Sequence, residues 1–430
     1  MTTLAITGGQ VLRPDSRIDR VDVLIDREAG TILAVDEDVD ADETLDATDG
    51  LVIPGLVNAH CHAAMTLLRG YADDKPLGAW LQEDIWPVEA ALTADDVRVG
   101  TELAAVELIR SGTTAFADMY FHEPTVAEVV EASGLRAVLG HGVVTVGKDD
   151  DEAHADADES VAFAAEYDGA ADGRISTAVM PHSLTTVRDD ILAELAERAR
   201  TEGVSLHLHA NETADEVEPI VAEHGVRPLA HADDLGVLDG DVFLAHCVHV
   251  DDEEIELLAE HDVGVVHCPA SNMKLASGMA PVQRMLDAGV TVGIGTDGAA
   301  SNNDLDPFDE LRDAAMLGKL AANDASAVAA ADAFRMATEG SARTLGLDTG
   351  RIEPGAKADV AVLDLDRPHL TPAHDLVSHL VYAARGSDVR HTVCDGRVLM
   401  RDRTVLTLDE QQVRERAQRR ANDLIDRATG

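Results

Sequence analysis

Between residue 51 and about residue 300, apolar runs rich in β-branched residues alternate with segments of helical spacing. Eight of these runs have the length of buried strands, at 51–59, 113–119, 135–144, 175–181, 204–209, 242–247, 263–267 and 290–296. The intervening segments include a helix predicted over 94–111, which Thr93 can cap, and another over 189–202. Eight strands that are each followed by a helix predict an α/β fold, a distorted (β/α)8 TIM barrel. A doubly wound open sheet is the alternative, but it would not explain the polar residues that follow these runs.

The two ends of the chain predict a second, smaller module. Short strand-like runs lie near both ends, at 4–12, 21–26, 31–35, 359–363 and 391–394. We therefore expect a small β-sandwich domain from residues 1–54 and 346–407, a barrel over 55–345 and a C-terminal helix over 408–430. The acidic segment 148–159 shows no clear pattern and is predicted to be a surface loop.

Candidate metal ligands follow several of the strand-like runs. The first run ends in His60-Cys61-His62, where the period-two alternation of a strand places both imidazoles on one face. Two imidazoles make half of a transition-metal site. Further polar candidates stand at the ends of other runs, namely His182, His209, Glu212, His246 and Asp297. Because the carboxyl ends of barrel strands form the catalytic face, we expect these side chains to converge.

The charge balance restricts the environment and the partners of the chain. Its 81 Asp and Glu residues oppose 34 Lys and Arg residues, for a formal net charge of −47. A hydrophobic content of 45% is too high for a disordered acidic chain. Self-repulsion of this size is tolerable where salt screens it, so we expect a protein from a high-salt organism. Nucleic acid and anionic membranes are poor partners for such a surface.

Cysteine use and hydropathy favour a cytoplasmic location. The four cysteines are scattered without C-x-x-C spacing, which is typical of reduced thiols, although a disulfide between distant members stays open. No run has the roughly 18 apolar residues of a membrane span. The first residues lack the basic region and cleavage site of a signal peptide.

The motifs together resemble a known enzyme family. The stretch 54–62, the His209/Glu212 pair, His246 and the stretch 296–298 look like those of the amidohydrolase superfamily. Four further sequence motifs resemble those of the 5′-methylthioadenosine/S-adenosylhomocysteine deaminases and the related 5′-deoxyadenosine deaminases. These motifs are at 65–70, 118–122, 270–275 and 298–303.

The resemblance implies one divalent metal per chain, most often zinc, held by His60, His62, His209 and Asp297. Three imidazoles and a carboxylate leave a position for water, whose pKa the metal lowers toward about 7. Iron, nickel and manganese suit the same donors. The chain has no lysine between Lys148 and Lys274, so the bridging lysine of two-metal relatives is missing from the fourth strand.

The resemblance also assigns the remaining site residues. Asp297 can accept the water proton, Glu212 can protonate the purine ring nitrogen, and His246 can orient the hydroxide that attacks C6. Glu89 matches the family's ribose-binding glutamate, and His182 matches its substrate-contacting histidine. Relatives grip the homocysteine carboxylate with arginines after the third strand.

At the positions that match those arginines, this chain has His141 and His154 instead. We therefore expect methylthioadenosine, 5′-deoxyadenosine or adenosine to be better substrates than S-adenosylhomocysteine.

The expected function is hydrolytic deamination of the adenine base of such nucleosides, which yields the inosine analogue and ammonia. The alternative is a mononuclear amidohydrolase that acts on a free base (guanine or cytosine) or on a triazine-type ring. A metal- or nucleoside-binding protein without activity is the third hypothesis. We expect a small-molecule substrate as the main partner, and a homo-oligomer.

Overall fold

The strands from the two chain ends form two small sheets beside the barrel. The computed structural model describes residues 2–430. The strands before the barrel are β1 (Thr3–Thr7), β2 (Gln10–Leu12), β3 (Ile18–Asp19), β4 (Asp22–Asp26), β5 (Thr31–Asp36), β6 (Glu43–Asp46) and β7 (Gly50–Pro54). Those after it are β16 (Val360–Asp364), β17 (Val389–Cys394), β18 (Arg397–Arg401) and β19 (Thr404–Val405). The sheet orders are β5-β4-β1-β6 and β19-β18-β17-β16-β7-β2-β3, so the second sheet joins both chain ends.

The two small sheets share one apolar core. Leu4 and Ile25 of the four-stranded sheet pack in the same buried cluster as Val52, Val362 and Val393 of the seven-stranded sheet. The two sheets therefore face each other as a sandwich.

The barrel sheet has eight parallel strands in sequence order, which confirms the predicted fold class. They are β8 (Leu56–Cys61), β9 (Thr113–Tyr120), β10 (Arg136–Val143), β11 (Ile175–Pro181), β12 (Ser205–Ala210), β13 (Val242–His246), β14 (Gly264–His267) and β15 (Val292–Ile294). The first predicted strand, 51–59, is in fact two strands, because β7 belongs to the sandwich and β8 to the barrel. The change falls at Gly55, where a Cβ atom would lie 2.2 Å from Oγ1 of Thr114.

Helices surround the barrel and fill its loops. They are α1 (Leu77–Trp80), α2 (Trp86–Glu89), α3 (Ala94–Arg110), α4 (Glu123–Ser133), α5 (Asp150–Tyr167), α6 (Ala170–Gly173), α7 (Asp189–Glu202), α8 (Ala214–His224), α9 (Pro228–Asp234), α10 (Asp252–Glu260), α11 (Pro269–Lys274), α12 (Val282–Asp287), α13 (Pro307–Ala322), α14 (Ala330–Arg335), α15 (Ser341–Thr344), α16 (Leu376–Tyr382) and α17 (Glu410–Thr429). Short 3₁₀ or π turns cover Ala63–Leu68, Leu81–Ile85, Met336–Gly340, Pro368–Leu370 and Gly386–Asp388. Among residues 2–430, no helix is long and apolar enough to cross a membrane.

Local sequence signals explain two of the predicted helices and one wrong prediction. The helix predicted from 94 is α3, and Thr93 and Asp96 form its capping box. The helix predicted over 189–202 is α7. The prediction of a loop over 148–159 is wrong, because α5 begins at Asp150. Asp149 caps α5, and the acidic residues of its first turn interact favourably with the positive end of the helix dipole. The acidic run is therefore the start of a helix.

The seven-stranded sheet is joined to the barrel by a buried ion pair. The guanidinium of Arg136, at the start of β10, donates to the Asp359 carboxylate at 3.0 Å. Arg136 is 4% exposed and Asp359 is fully buried. Because Arg136 is the first residue of β10, the pair lies at the end of the barrel where the strands begin, and Asp359 immediately precedes β16 of the seven-stranded sheet.

All four cysteines are free and buried.

Candidate active site

Histidines and an aspartate from four strand ends converge at the carboxyl end of the barrel. The ligand atoms of His60, His209, His246 and Asp297 lie within 4.8 Å of one another, and all four residues are buried. His62 joins them, since its Nε2 lies 3.1 Å from Oδ1 of Asp297. The structure thus brings the predicted ligands together, with His246 in the same cluster.

Two of the imidazoles are oriented by main-chain carbonyls. Nδ1 of His62 donates to the carbonyl oxygen of Met119 at 2.6 Å. Nδ1 of His209 donates to the carbonyl oxygen of His182 at 2.7 Å. Because a carbonyl can only accept, Nδ1 of each ring carries a proton, and Nε2 is the atom that can bind a metal. Both Nε2 atoms face the centre of the cluster, 3.4 Å apart.

The other two imidazoles are held by side chains. Nδ1 of His60 lies 2.9 Å from Nε2 of His207, and Nδ1 of His246 lies 2.9 Å from Oδ1 of Asn272. The sequence alone predicts neither of these two contacts. Nε2 of His60 is buried and has no hydrogen-bond partner among residues 2–430.

These donors fit a divalent transition metal. A buried ring nitrogen without a partner is costly, and imidazole nitrogens with a carboxylate are the donors that zinc and similar ions take. The outer nitrogens of the imidazoles are fixed, as they are around metal sites in general. The arrangement therefore suits one ion between the histidines and Asp297.

Asp297 is ionised in these surroundings. Its Oδ2 accepts hydrogen bonds from the hydroxyls of Ser271 at 2.7 Å and Ser301 at 2.6 Å. Burial disfavours the charge, but the imidazoles of His60 and His62 hold the pKa of Asp297 well below its usual range. Asp297 has a φ of 60°, and His246 has a φ of 73°, so both adopt left-handed backbone conformations that cluster at functional sites.

Glu212 lies beside this cluster, and its pKa is shifted in the opposite direction to that of Asp297. Its Oε1 accepts a hydrogen bond from the hydroxyl of Ser277 at 3.0 Å, and its Oε2 lies 3.7 Å from Nε2 of His246. Burial raises the pKa of Glu212 above its ordinary value. Glu212 can therefore carry a proton near neutral pH, which a general acid needs.

A cavity opens over the histidines and Glu212. Its walls include Trp80, Trp86 and Phe121, and its lining also contains Glu89 and His182. Trp80 and Trp86 are the only tryptophans of the chain, and both belong to the segment from α1 to α2. The aromatic walls suit a flat heterocyclic ring. These aromatic residues were not predicted to contribute to the site, although two tryptophans so close to Glu89 were a possible signal.

Both predicted substrate residues lie in this cavity. Oε1 of Glu89 is buried and has no hydrogen-bond partner among the described residues, and burial raises the pKa of Glu89 to about 7. Nδ1 of His182 lies 2.8 Å from Oγ1 of Thr186. Burial lowers the pKa of His182 to about 4, so its ring is neutral at pH 7.

A second, outer cavity adjoins the first. The two share five lining residues, namely Leu77, Leu81, Trp86, His182 and Glu216. Asp215 also lines the outer cavity. Within residues 2–430, no arginine or lysine lines either one. Glu216 was not identified as a site residue from the sequence, where its capping box with Thr213 signals only the start of α8.

The histidines at the positions expected for the arginines lie elsewhere. Nε2 of His141 lies 2.9 Å from Oδ1 of Asp156 on α5. His154 is exposed on the same helix, where its Nδ1 donates to the carbonyl of Asp150 at 2.8 Å. Neither His141, which is on β10, nor His154, which is on α5, lines either cavity.

Comparison with known proteins shows the family. The model of the amidohydrolase family matches residues 51–399. A 5-methylthioadenosine/S-adenosylhomocysteine deaminase from Haloarcula marismortui is 67% identical over 430 residues, which is 100% of both chains. A 5′-deoxyadenosine deaminase from Methanosarcina mazei is 47% identical over 430 residues, 99% of each. The crystal structure of an adenosine deaminase from Xanthomonas campestris with bound zinc matches with a TM-score of 0.93 and 39% identity over 99% of each chain. The chain belongs to the amidohydrolase family, as the sequence motifs indicated.

Proposed function

We propose that this protein is a metal-dependent deaminase that hydrolyses the 6-amino group of adenosine and its 5′-modified derivatives. The observation that carries the proposal is the position of Glu212, a buried acid beside His246 and the cluster around Asp297. The names of the relatives with high identity over the whole chain support the same substrate class.

The proposed metal is zinc, one ion per chain, with His60, His62, His209 and Asp297 as its ligands. Iron, nickel and manganese remain alternatives for the same donors. When bound, such an ion lowers the pKa of water toward about 7, so that a nucleophile is available at neutral pH.

The side chains divide the proton transfers between them. Asp297, held ionised by its neighbours, accepts a proton from the attacking water. Glu212 donates a proton to the purine ring nitrogen next to C6, and His246 orients the water. A C–O bond forms at C6, the amino nitrogen takes the proton that Asp297 received, and the C–N bond breaks so that ammonia leaves. The second proton of the water returns to Glu212, which leaves a carbonyl at C6 and a proton on the ring nitrogen.

Glu89 and His182 position the nucleoside in this proposal. The free Oε1 of Glu89 can accept a hydrogen bond from a ribose hydroxyl. His182 lies between the inner and the outer cavity, where it can contact the sugar. The outer cavity then receives the 5′ substituent.

The surface charge supports a high-salt cytoplasm as the location of the protein. The net charge of −47 argues against nucleic acid and anionic membranes as partners. The expected homo-oligomer stays a prediction.

A substrate screen tests the proposed function. Ammonia release is measured with the metal-replete protein in molar KCl, with adenosine, 5′-deoxyadenosine, methylthioadenosine, guanine, cytosine and an amino-substituted triazine as substrates. We expect turnover of the adenosine derivatives and formation of the inosine analogues. Turnover of only a free base or of the triazine would favour the alternative amidohydrolase reaction.

A further inference from the structure

His60 differs from His62 and His209 in what holds its outer nitrogen. The latter two donate to main-chain carbonyls, which cannot donate in return. Nδ1 of His60 instead faces Nε2 of His207, another imidazole, at 2.9 Å. A ring nitrogen can be a donor or an acceptor, so this contact alone leaves the proton of His60 undefined.

A second contact of His207 removes the ambiguity. Nδ1 of His207 lies 2.8 Å from the carbonyl oxygen of Phe243, which can only accept, so the proton of His207 is on Nδ1. The ring is fully buried and stacks on Phe243 with centroids 4.0 Å apart. Burial against an apolar ring disfavours an imidazolium, so Nε2 of His207 has a lone pair.

The proton between the two rings therefore belongs to His60. Nδ1 of His60 donates to Nε2 of His207, and the lone pair of His60 is on Nε2, which faces the metal cluster. The strand register builds this arrangement, because His207 on β12 pairs directly with Phe243 on β13. His207 also lies two residues from His209, so that both side chains point to the barrel interior.

We propose that His207 is a positioning residue that fixes the tautomer of His60 and so presents Nε2 of His60 to the metal. The carbonyl of Phe243 orients His207, and His207 orients His60. The inference rests on the metal site of the proposed function and is independent of the substrate.

Two substitutions separate the hydrogen bond from the shape of the ring. His207→Phe keeps a flat ring against Phe243 but removes the acceptor. His207→Gln keeps an acceptor for His60 and a donor for the Phe243 carbonyl. His267→Phe is the matched control, since His267 is buried and its ring nitrogens have no partner among residues 2–430.

The readout is the dissociation constant for Zn²⁺, measured by competition with a chelator in molar KCl. We expect His207→Phe to weaken Zn²⁺ binding by about 10- to 100-fold, the usual effect of losing such a partner. His207→Gln should recover most of this loss, and His267→Phe should bind like the unsubstituted protein. Unchanged affinity in His207→Phe, or an equal loss in His207→Phe and His207→Gln, would overturn the proposal.

A measurement on the unsubstituted protein covers the case in which His207→Phe does not fold. Isotope-labelled histidine in the metal-free protein reports by NMR which ring nitrogen carries each proton. We expect protonated Nδ1 and unprotonated Nε2 for both His207 and His60. A proton on Nε2 of His207 would refute the inference. Failure of the unsubstituted protein to bind Zn²⁺ would instead count against the proposed metal site, and the NMR result would still decide the role of His207.

Discussion

At the residue scale, Asp297 and Glu212 are two neighbouring carboxylates in opposite states. Hydroxyls of Ser271 and Ser301 hold one oxygen of Asp297, while the other faces the imidazoles. The pKa of Asp297 is lowered by those imidazoles, and burial raises the pKa of Glu212. Carboxyl groups whose pKa values are displaced in opposite directions are typical of an acid–base pair.

The substitution Glu212→Gln tests the role of the acid. Glutamine keeps an oxygen for the Ser277 hydroxyl but cannot deliver the proton. We expect kcat to fall by about 10²-fold or more, while the metal content stays unchanged. Glu218→Gln, which removes an exposed charge from α8, the helix that follows Glu212, should have little effect on kcat. Equal rates for Glu212→Gln and Glu218→Gln would exclude Glu212 as the proton donor.

Removal of a proposed ligand should abolish both metal binding and turnover. His62→Ala and Asp297→Ala each delete a donor at the centre of the cluster. Elemental analysis of the active protein should find about one tightly bound divalent ion per chain, because the site has four proposed ligands and no bridging lysine. Two ions per active chain, or full activity after exhaustive chelation, would contradict the single-metal assignment.

The candidate site could be predicted from the sequence only in part. His60, His62, His209 and Asp297 were identifiable because each stands at the end of a strand-like run, and parallel strands bring their ends together. The contact between His60 and His207 could not be identified, because it depends on how the barrel closes across residues 147 positions apart. The sequence does predict that His246 converges with these residues, and its ligand atom lies within 4.8 Å of those of His60 and Asp297.

At the element scale, the fold was predictable where a pattern was local. The capping signal at Thr93 set the start of α3, and the eight strand runs set the barrel. The predicted domain boundary between residues 54 and 55 falls within the first run, but the run was still predicted as one strand, because both halves are equally apolar and only tertiary contacts assign them to different sheets. The acidic start of α5 was misread because charge hid the helical spacing of the residues that follow.

The buried pair Arg136–Asp359 should be important for the attachment of the sandwich to the barrel. Arg136→Met leaves the fully buried Asp359 carboxylate without its cation, so the free energy of unfolding should fall by about 3–5 kcal/mol. Urea unfolding in molar KCl measures the change. Arg17→Gln, which breaks an exposed pair with Asp15, is the control and should barely move the urea midpoint.

This pair also has a defined pH dependence. Although burial disfavours the charge of Asp359, Arg136 holds its pKa below the ordinary value of 3.8. The stabilising contribution is therefore present above that value and is lost as the pH falls through the lower pKa of the folded state. In Arg136→Met this acid-dependent part of the stability should be missing.

The loops around the outer cavity should set the choice of substrate tail. Asp215 and Glu216 line this cavity, and within residues 2–430 no arginine or lysine lines it, so a carboxylate in the tail meets no Arg or Lys side chain there. We expect a higher kcat/KM for 5′-deoxyadenosine or methylthioadenosine than for S-adenosylhomocysteine, by about tenfold for each 1.4 kcal/mol of missing contact. Equal or better efficiency with S-adenosylhomocysteine would show that an arginine reaches the tail from elsewhere.

At the scale of the whole molecule, the excess of acidic residues makes stability depend on salt. The acidic residues that give the net charge of −47 repel one another. The distance over which salt screens this repulsion grows from about 3 Å at 1 M salt to about 10 Å at 0.1 M. We expect the melting temperature and the activity to fall when KCl is lowered from about 3 M to 0.1 M. A neutral osmolyte added at low salt is the control and should restore less than KCl does. Unchanged values over this range would contradict a high-salt origin.

The position of the two tryptophans gives this protein a built-in optical probe. Trp80 and Trp86 are the only indoles of the chain, and both line the cavity over the histidines. The tryptophan fluorescence of the whole protein therefore originates from the wall of one site. Occupancy of that site by a nucleoside can be followed without a label and without turnover, even in variants that have lost their activity.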